Sequence, residues 1–140
     1  MPWSNPKTST TVLIVENEAI VRMELTGRLA AMGLTVLAAA DADEAIALLD
    51  DHPEISVLMT DIAMPGSMDG ARLAHHAKRR WPPLKIIVAS GLMDARQVDL
   101  PRDTIFLAKP FWPEALASAL DRMINGGGPR LPQPLTGLRA

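Results

Sequence analysis

The sequence of 140 residues contains no cysteine, no long apolar run and little excess of either charge. The absence of cysteine excludes disulfide bonds, thiolate metal sites and a cysteine nucleophile. No apolar stretch approaches the roughly 20 residues that a membrane-spanning helix needs, and the first ten residues lack the apolar core of a signal peptide. A net charge of −2 provides no general attraction for nucleic acid. We therefore expect a cytoplasmic protein that binds neither membranes nor nucleic acid.

The composition is that of one folded domain. Hydrophobic residues make up 48% of the chain and charged residues 21%, which is typical of a globular protein rather than a disordered one. Residues 1–10 and 126–140 lack hydrophobic periodicity and contain several prolines, and the second segment begins with the run GGGP. We expect two flexible tails around a single domain over residues 11–125.

Short apolar runs alternate with helical patterns between those tails, which is typical of a parallel sheet with helices on both faces. The runs predict five strands, over Thr11–Val15, Thr35–Ala40, Ile55–Thr60, Leu84–Ala89 and Thr104–Ala108. The predicted fold class is therefore α/β, a doubly wound five-stranded parallel sheet with the strand order 2-1-3-4-5.

Four segments show the apolar spacing of amphipathic helices. They run from about Glu18 to Met32, from an N-cap at Asp41 with Glu44 in a capping box to Asp51, from Asp69 or Gly70 toward Trp81, and onward from Pro113. The inward faces are predicted to carry Val21, Leu25, Leu29 and Met32 in the first helix, and Leu116, Leu120 and Met123 or Ile124 in the last. A weaker pattern over residues 94–99 predicts a short or irregular fourth helix before Pro101.

Polar residues end or follow four of these strands: Glu16-Asn17, Asp61, Ser90 and Lys109. In a doubly wound sheet, ligands bind outside the carboxyl ends of the strands, at the point where the strand order reverses. The order 2-1-3-4-5 reverses between the first and third strands, so Glu16-Asn17 and Asp61 are predicted to face each other across one crevice.

A crevice with two carboxylates needs a cation. Two such charges about 4 Å apart repel by roughly 4 kcal/mol at an effective dielectric constant of 20. Oxygen donors without histidine or cysteine favour a hard ion such as Mg²⁺. Lys109 adds a fixed positive charge, and Ser90 can donate a hydrogen bond to an anion. Asp61 is then arranged to attack a phosphoryl group and form an aspartyl phosphate.

The motifs at these strand ends resemble those of the receiver domains of two-component response regulators, which have a flavodoxin-like fold. The resemblance covers about Thr10 to Asn125 and rests on four motifs in order: VENE, DIAMPGSMDG, VASG and LAKPF. It implies that Asp61 is the phosphoacceptor and that Lys109 and Ser90 bind the phosphoryl oxygens.

The resemblance also implies a metal site, a switch and a backbone feature. Mg²⁺ would be held by Asn17, Asp61 and the backbone carbonyl of Ala63, with Glu16 acting directly or through water. Phe106 and Ser90 would form the switch pair, and the Lys109–Pro110 peptide bond would be cis.

By the same resemblance, the phosphodonor is a sensor histidine kinase or a histidine phosphotransfer protein. The chain would not be an enzyme in the ordinary sense, since it would catalyse only its own phosphorylation and dephosphorylation. No output domain is visible, so we expect a stand-alone receiver, a monomer or weak dimer, that signals by binding a protein that the sequence does not identify.

Three features depart from the family pattern. Asn17 stands where a second acid is usual, the loop after Asp61 holds one extra residue at Gly66-Ser67, and the interval from Ser90 to Lys109 is short. Glu18 could replace the missing charge, but an acid is also favoured at a helix start. Asn17 and the short or irregular fourth helix keep open an alternative, a receiver-like interaction module that works without phosphorylation.

A flavin or nucleotide binder on the same fold is disfavoured, because Glu16 and Glu18 stand where a phosphate cradle would have glycines and hydroxyls.

The adjacent His75 and His76 would point about 100° apart on a helix, so we expect surface or half-buried histidines rather than a metal site. The basic run Lys78-Arg79-Arg80 is expected to complement a helix dipole rather than to bind nucleic acid.

Overall fold

A computed structural model describes residues 10–64, 66, 68–91, 99–111 and 113–124 of the chain. The strands are β1 (Thr11–Val15), β2 (Thr35–Ala39), β3 (Ile55–Asp61), β4 (Lys85–Ser90) and β5 (Ile105–Ala108). The helices are α1 (Ala19–Ala31), α2 (Ala42–Asp51), α3 (Gly70–Arg80) and α4 (Pro113–Ile124). The expected irregular helix over 94–99 and most of the two expected tails lie outside the described residues.

All five strands are parallel and form one sheet in the order β2-β1-β3-β4-β5. This arrangement confirms the predicted fold class and strand order. The chain runs outward from β1 to β2 and then returns past β1 to β3, so the order reverses between β1 and β3. Their ends are level, because Val15 pairs with Thr60.

Two hydrophobic clusters cover the two faces of the sheet. Successive strand residues point to opposite faces, so β1 gives Leu13 and Val15 to one cluster and Val12 and Ile14 to the other. Helices α2 and α3 complete the first cluster, while α1 and α4 complete the second. Each fully buried aliphatic side chain stabilises the fold by about 1.5–3 kcal/mol relative to an exposed one.

The two strands that carry site residues extend one residue further than predicted. Asp61 is the last residue of β3 because it pairs with Ala89 of β4, and Ser90 is the last residue of β4 because it pairs with Ala108 of β5. Sequence patterns placed both residues just beyond the strands. Pairing with a neighbouring strand therefore fixes the backbone of Asp61 and Ser90 within the sheet.

Helix ends follow the capping signals of the sequence. The Asp41 side chain accepts a hydrogen bond from the Glu44 amide, and the Glu44 carboxylate accepts one from the Ala40 amide. Asp69, rather than Gly70, is the N-cap of α3 and accepts from the Arg72 amide. Each such cap contributes roughly 1 kcal/mol by satisfying a free helix amide.

The inward face of α1 is less buried than predicted. Leu29 is fully buried, whereas Val21, Leu25 and Met32 are only half-buried. The helix itself ends one residue short of the prediction at each side, with Glu18 and Met32 as its caps. In α4 the predicted positions are buried, and Met123 rather than Ile124 is the buried residue of its last turn.

The basic end of α3 makes structural contacts. Lys78 Nζ donates to the Leu84 carbonyl at 2.9 Å, and Arg80 pairs with Asp50 of α2 at 2.8 Å. His75 and His76 are both half-buried, and His76 lies edge-on to Trp81. The histidines are therefore half-buried, as expected, and Lys78 and Arg80 of the basic run have contacts within the fold. In the described part of the chain, no helix has the length and apolar character to cross a membrane.

Candidate functional site

The carboxyl ends of β1, β3 and β5 bring Glu16, Asp61 and Lys109 together. Glu16 directly follows β1 and is 3% exposed, Asp61 ends β3, and Lys109 directly follows β5. Lys109 Nζ lies 2.7 Å from Asp61 Oδ2 and 3.6 Å from Glu16 Oε1. One ammonium group therefore contacts two carboxylates, and the convergence predicted from the strand ends is confirmed for these three residues.

The pKa of Lys109 lies above its ordinary value of 10.5. Burial is the largest single influence and lowers this pKa, but the hydrogen bond from Lys109 to Asp61 raises it, as do the charges of Asp61 and Glu16. The raising effects together outweigh burial, because each carboxylate favours the charged form of the amine. Lys109 is therefore a permanent cation at neutral pH.

Two contacts that the sequence analysis missed hold Glu16 in place. The Glu18 amide donates to Glu16 Oε2 at 3.0 Å, and Arg22 Nη1 donates to the Glu16 backbone carbonyl at 2.8 Å. The only sequence signal was an arginine at the fourth position of the helix that follows an acidic loop. Because the Glu16 carboxylate already occupies an amide at the start of α1, this loop is a poor cradle for a nucleotide phosphate.

The backbone of Asp61 is held by two residues that were also missed as site residues. The Thr60 hydroxyl donates to the Asp61 carbonyl at 3.0 Å. Gly70 donates its amide to the Ile62 carbonyl at 2.8 Å, and a Cβ atom added at Gly70 would overlap the Asp61 backbone. Only glycine allows α3 to begin this close to the end of β3. An Asp-Gly pair at a helix start was the available signal.

Ser90 and Lys109 are tied together through their backbones. The Lys109 amide donates to the Ser90 carbonyl at 2.8 Å, and Ser90 is 2% exposed. Since Asp61 pairs with Ala89, Ser90 lies one residue beyond it on the neighbouring strand. The Lys109–Pro110 peptide bond is cis, which confirms the expectation from the resemblance.

The remaining predicted residues lie around this centre. Asn17 is exposed and follows Glu16 at the rim, and Ala63 is exposed two residues after Asp61. Phe106 is half-buried and packs against the cluster on the α2 and α3 face of the sheet. It pairs in register with Val88, two residues before Ser90.

The donor set of this centre suits a hard divalent cation. Glu16 and Asp61 together carry more negative charge than Lys109 neutralises, and carboxylate oxygens are ligands that Mg²⁺ prefers. Among the described residues, no group of three or more His, Cys, Asp or Glu side chains is placed to hold a metal ion. The two acids of this centre, Glu16 and Asp61, are one fewer than such a group requires, and the residue after Glu16 is Asn17 rather than an acid.

Comparisons with known proteins agree with this geometry. The sequence model of the response regulator receiver domain family matches residues 12–121. The sensor kinase CckA of Brucella abortus is 37% identical over 121 residues, which make up 84% of this chain and 13% of CckA. Several curated relatives are longer than this chain, which spans between 13% and 56% of their length.

Solved structures show the same fold. A response regulator receiver protein from Sinorhizobium medicae is 28% identical, with a TM-score of 0.76, over 86% of this chain and 98% of that chain. A chain of the CheX–CheY–BeF3–Mg²⁺ complex from Borrelia burgdorferi is 25% identical, with a TM-score of 0.72, over 84% of this chain and 92% of that one. The family match over residues 12–121 includes Glu16, Asp61, Ser90 and Lys109.

Proposed function

Because the chain belongs to the response regulator receiver domain family, we propose that it is the phosphoacceptor of a two-component phosphorelay and that Asp61 receives the phosphoryl group. The observation that carries the proposal is the contact of Lys109 with Asp61 at 2.7 Å, beside the buried carboxylate of Glu16. An aspartate that served only as a turn residue would not require a lysine from the end of another strand beside its carboxylate.

Asp61 acts as the nucleophile in this proposal. One of its carboxylate oxygens attacks phosphorus, a P–O bond forms, and the P–N bond of a phosphohistidine breaks. The imidazole leaves with the electron pair of that bond and takes up a proton. The Thr60 and Gly70 contacts hold the Asp61 backbone, so little motion is needed for the carboxylate to reach its attacking position.

Lys109 and Ser90 bind the transferred group. Lys109 stays protonated at neutral pH, so it can pair with a phosphoryl oxygen while it remains beside Asp61. The Ser90 hydroxyl donates a hydrogen bond to another oxygen of the group. Both interactions stabilise charge that develops on the equatorial oxygens during transfer.

Glu16, Asn17, Asp61 and the Ala63 carbonyl are the proposed ligands of Mg²⁺. When bound, the ion neutralises charge on the carboxylates and on the incoming phosphoryl oxygens. The Glu18 and Arg22 contacts keep Glu16 ready for this role, because they fix its carboxylate and its backbone. The similar complex from Borrelia burgdorferi was solved with Mg²⁺ and BeF3, which supports the same ion here.

In this proposal, phosphorylation changes the conformation of residues on β4 and β5. In the proposed switch, Ser90 turns toward the phosphoryl group and Phe106, two residues along the paired register, moves inward. The donor is a sensor histidine kinase or a histidine phosphotransfer protein of the cytoplasm, and the similarity to the sensor kinase CckA supports this class. The downstream partner is a protein that binds the switched face.

Phosphorylation of the purified chain tests the proposal. Treatment with acetyl phosphate and Mg²⁺ should add one phosphoryl group by intact-mass analysis in the wild type and none in Asp61→Asn. Asp51→Asn is the matched control, since Asp51 is an exposed acid at the end of α2, and it should be phosphorylated normally. A phosphoryl group that persists in Asp61→Asn would contradict the assignment.

A phosphorylation-independent interaction module is the second candidate, and Asn17 is the observation that favours it. Among the described residues no group of three or more His, Cys, Asp or Glu side chains is placed to hold a metal ion, and Asn17 adds no charge, so we expect a lower metal affinity than in a site with a third acid. A titration that detects no Mg²⁺ binding at millimolar concentration, in a protein that still engages its partner, would favour this candidate over the phosphoacceptor.

A further inference from the structure

A cavity of about 480 Å³ opens beside the acceptor site, between α1 and the start of α4. Its floor is the sheet, where Ile14, Met59 and Ala89 present their side chains from three adjacent strands. The α1 wall includes Val21 and Leu25. The volume lies within the range of about 300–1,000 Å³ in which small organic ligands bind.

The cavity is a gap in the packing of α1 rather than part of the closed core. Val21 is half-buried, and it belongs to neither hydrophobic cluster of the sheet. Leu25 and Phe111, which line opposite sides, are also half-buried. The gap therefore explains why the inward face of α1 is less buried than its periodicity predicts.

The net charge of the cavity lining is negative, and it comes from the residues of the proposed acceptor site. Glu16, Asp61 and Lys109 line the cavity, and they carry two negative charges against one positive charge. Glu24 and Arg28 also line the cavity, and their charges cancel. An anionic ligand would meet two carboxylates there, whereas a cation would relieve the imbalance.

We propose that this cavity binds a small amphipathic amine, with its ammonium group beside Glu16 and Asp61 and its apolar body against Ile14, Val21 and Leu25. The ammonium group would occupy the position of the divalent cation, so the amine would compete with Mg²⁺ and slow phosphorylation. The competition rests on the proposed function of the site. Amine binding itself rests only on the cavity and its charges.

Binding is tested on the metal-free ¹⁵N-labelled protein by NMR titration with 3-phenylpropylamine, which is a cation at neutral pH. The matched probes are 3-phenyl-1-propanol, which lacks the charge, 3-phenylpropionate, which reverses it, and methylamine, which lacks the apolar body. We expect millimolar binding of the phenyl amine and about tenfold weaker binding of the other three, because each lacks one of the two complementary features.

Two tryptophan substitutions on α1 locate the site. Leu25→Trp fills the cavity and should weaken binding of the phenyl amine about tenfold or more. Met23→Trp is the control, since Met23 is 71% exposed and does not line the cavity. Contacts between the phenyl ring and the methyl groups of Ile14, Val21 and Leu25, seen as nuclear Overhauser effects in the wild type, locate the ligand even if Leu25→Trp does not fold.

The proposal is overturned if the amine, alcohol and carboxylate bind equally, if the phenyl ring contacts another surface, or if folded Leu25→Trp binds as the wild type does. Absence of binding at millimolar amine overturns it as well. Added Mg²⁺ should raise the apparent dissociation constant of the amine in proportion to its concentration. If Mg²⁺ does not change the dissociation constant of the amine, the metal binds elsewhere and the proposed competition is wrong. Phosphorylation of Asp61 is tested separately, by the acetyl phosphate experiment.

Discussion

Lys109 is the residue through which the ends of three strands interact. It follows β5, pairs with Asp61 of β3 at 2.7 Å and lies 3.6 Å from Glu16 after β1. Glu16 in turn is fixed by the Glu18 amide and by Arg22. Asn17, the next residue, is exposed and carries an uncharged amide. The balance between the Glu16 and Asp61 carboxylates and the Lys109 ammonium leaves one net negative charge, which the proposed metal ion would offset.

Asn17→Asp should tighten Mg²⁺ binding by roughly tenfold, which corresponds to about 1.4 kcal/mol. The added carboxylate would give the divalent ion a third negative ligand. Isothermal titration calorimetry of both proteins measures the change. Glu18→Gln serves as the control and should leave the affinity nearly unchanged if Glu18 belongs to the start of α1. An affinity unaffected by Asn17→Asp would remove Asn17 from the ligand set.

The start of α3 lies directly against Asp61, the proposed phosphoacceptor. Asp69 caps the helix, and Gly70 begins it directly against the backbone of Asp61. The loop after Asp61 must therefore return to the strand end from which it left. That loop includes Gly66, which has a left-handed backbone conformation with a φ of 111°. Glycine adopts such angles without strain, so a turn at this position is compatible with the return of the chain.

Gly70→Ala should destabilise the fold by about 1–3 kcal/mol and slow phosphorylation of Asp61. A Cβ atom there overlaps backbone, which cannot move aside as a flexible side chain could. Gly27→Ala in α1 is the matched control, since its Cβ would meet no atom within 4 Å, and it should stabilise the helix by about 0.5–1 kcal/mol. Urea unfolding and acetyl phosphate labelling measure the two effects. Normal labelling of Gly70→Ala would show that this contact does not position Asp61.

In the described part of the chain, helices cover both faces of the sheet, polar residues lie at the carboxyl ends of the strands, and a cavity lies between α1 and α4. The ion pair of Lys109 joins strands that are far apart in sequence, so it contributes to the stability of the assembled fold. The pKa of Lys109 is raised in the folded protein. Its stabilising contribution is therefore complete below the ordinary pKa of 10.5 and is lost as the pH rises through the higher folded value.

In metal-free protein, the wild type should lose stability relative to Lys109→Met as the pH rises above 10.5. The loss should be about 1 kcal/mol or less, because the lysine is partly exposed and solvent screens the pair. Urea unfolding across alkaline pH measures the difference. Lys85→Met, which removes an exposed lysine of β4, should show no such trend. A constant difference between wild type and Lys109→Met would mean that the ion pair does not stabilise the fold.

The sequence predicted the fold and the residues of the central cluster for identifiable reasons. Five apolar runs are bounded by turn formers, and Glu16, Asp61 and Lys109 each stand at a strand end. It did not predict Arg22, Thr60 or Gly70 as site residues, because each acts on a backbone group of another residue. Such contacts depend on the exact approach of elements, which periodicity does not specify.

The sequence by itself was enough to predict five parallel strands and the polar residues at their carboxyl ends, since apolar runs alternate with helical patterns and each run is followed by identifiable side chains. The order 2-1-3-4-5 was predicted as one of the common doubly wound orders. The distances from Lys109 to Glu16 and Asp61, and the close approach of Gly70 to the Asp61 backbone, became known only from the folded arrangement. The tertiary structure alone also produced the space between α1 and α4, because the separation of two helices depends on the side chains that meet between them and not on the pattern of either helix.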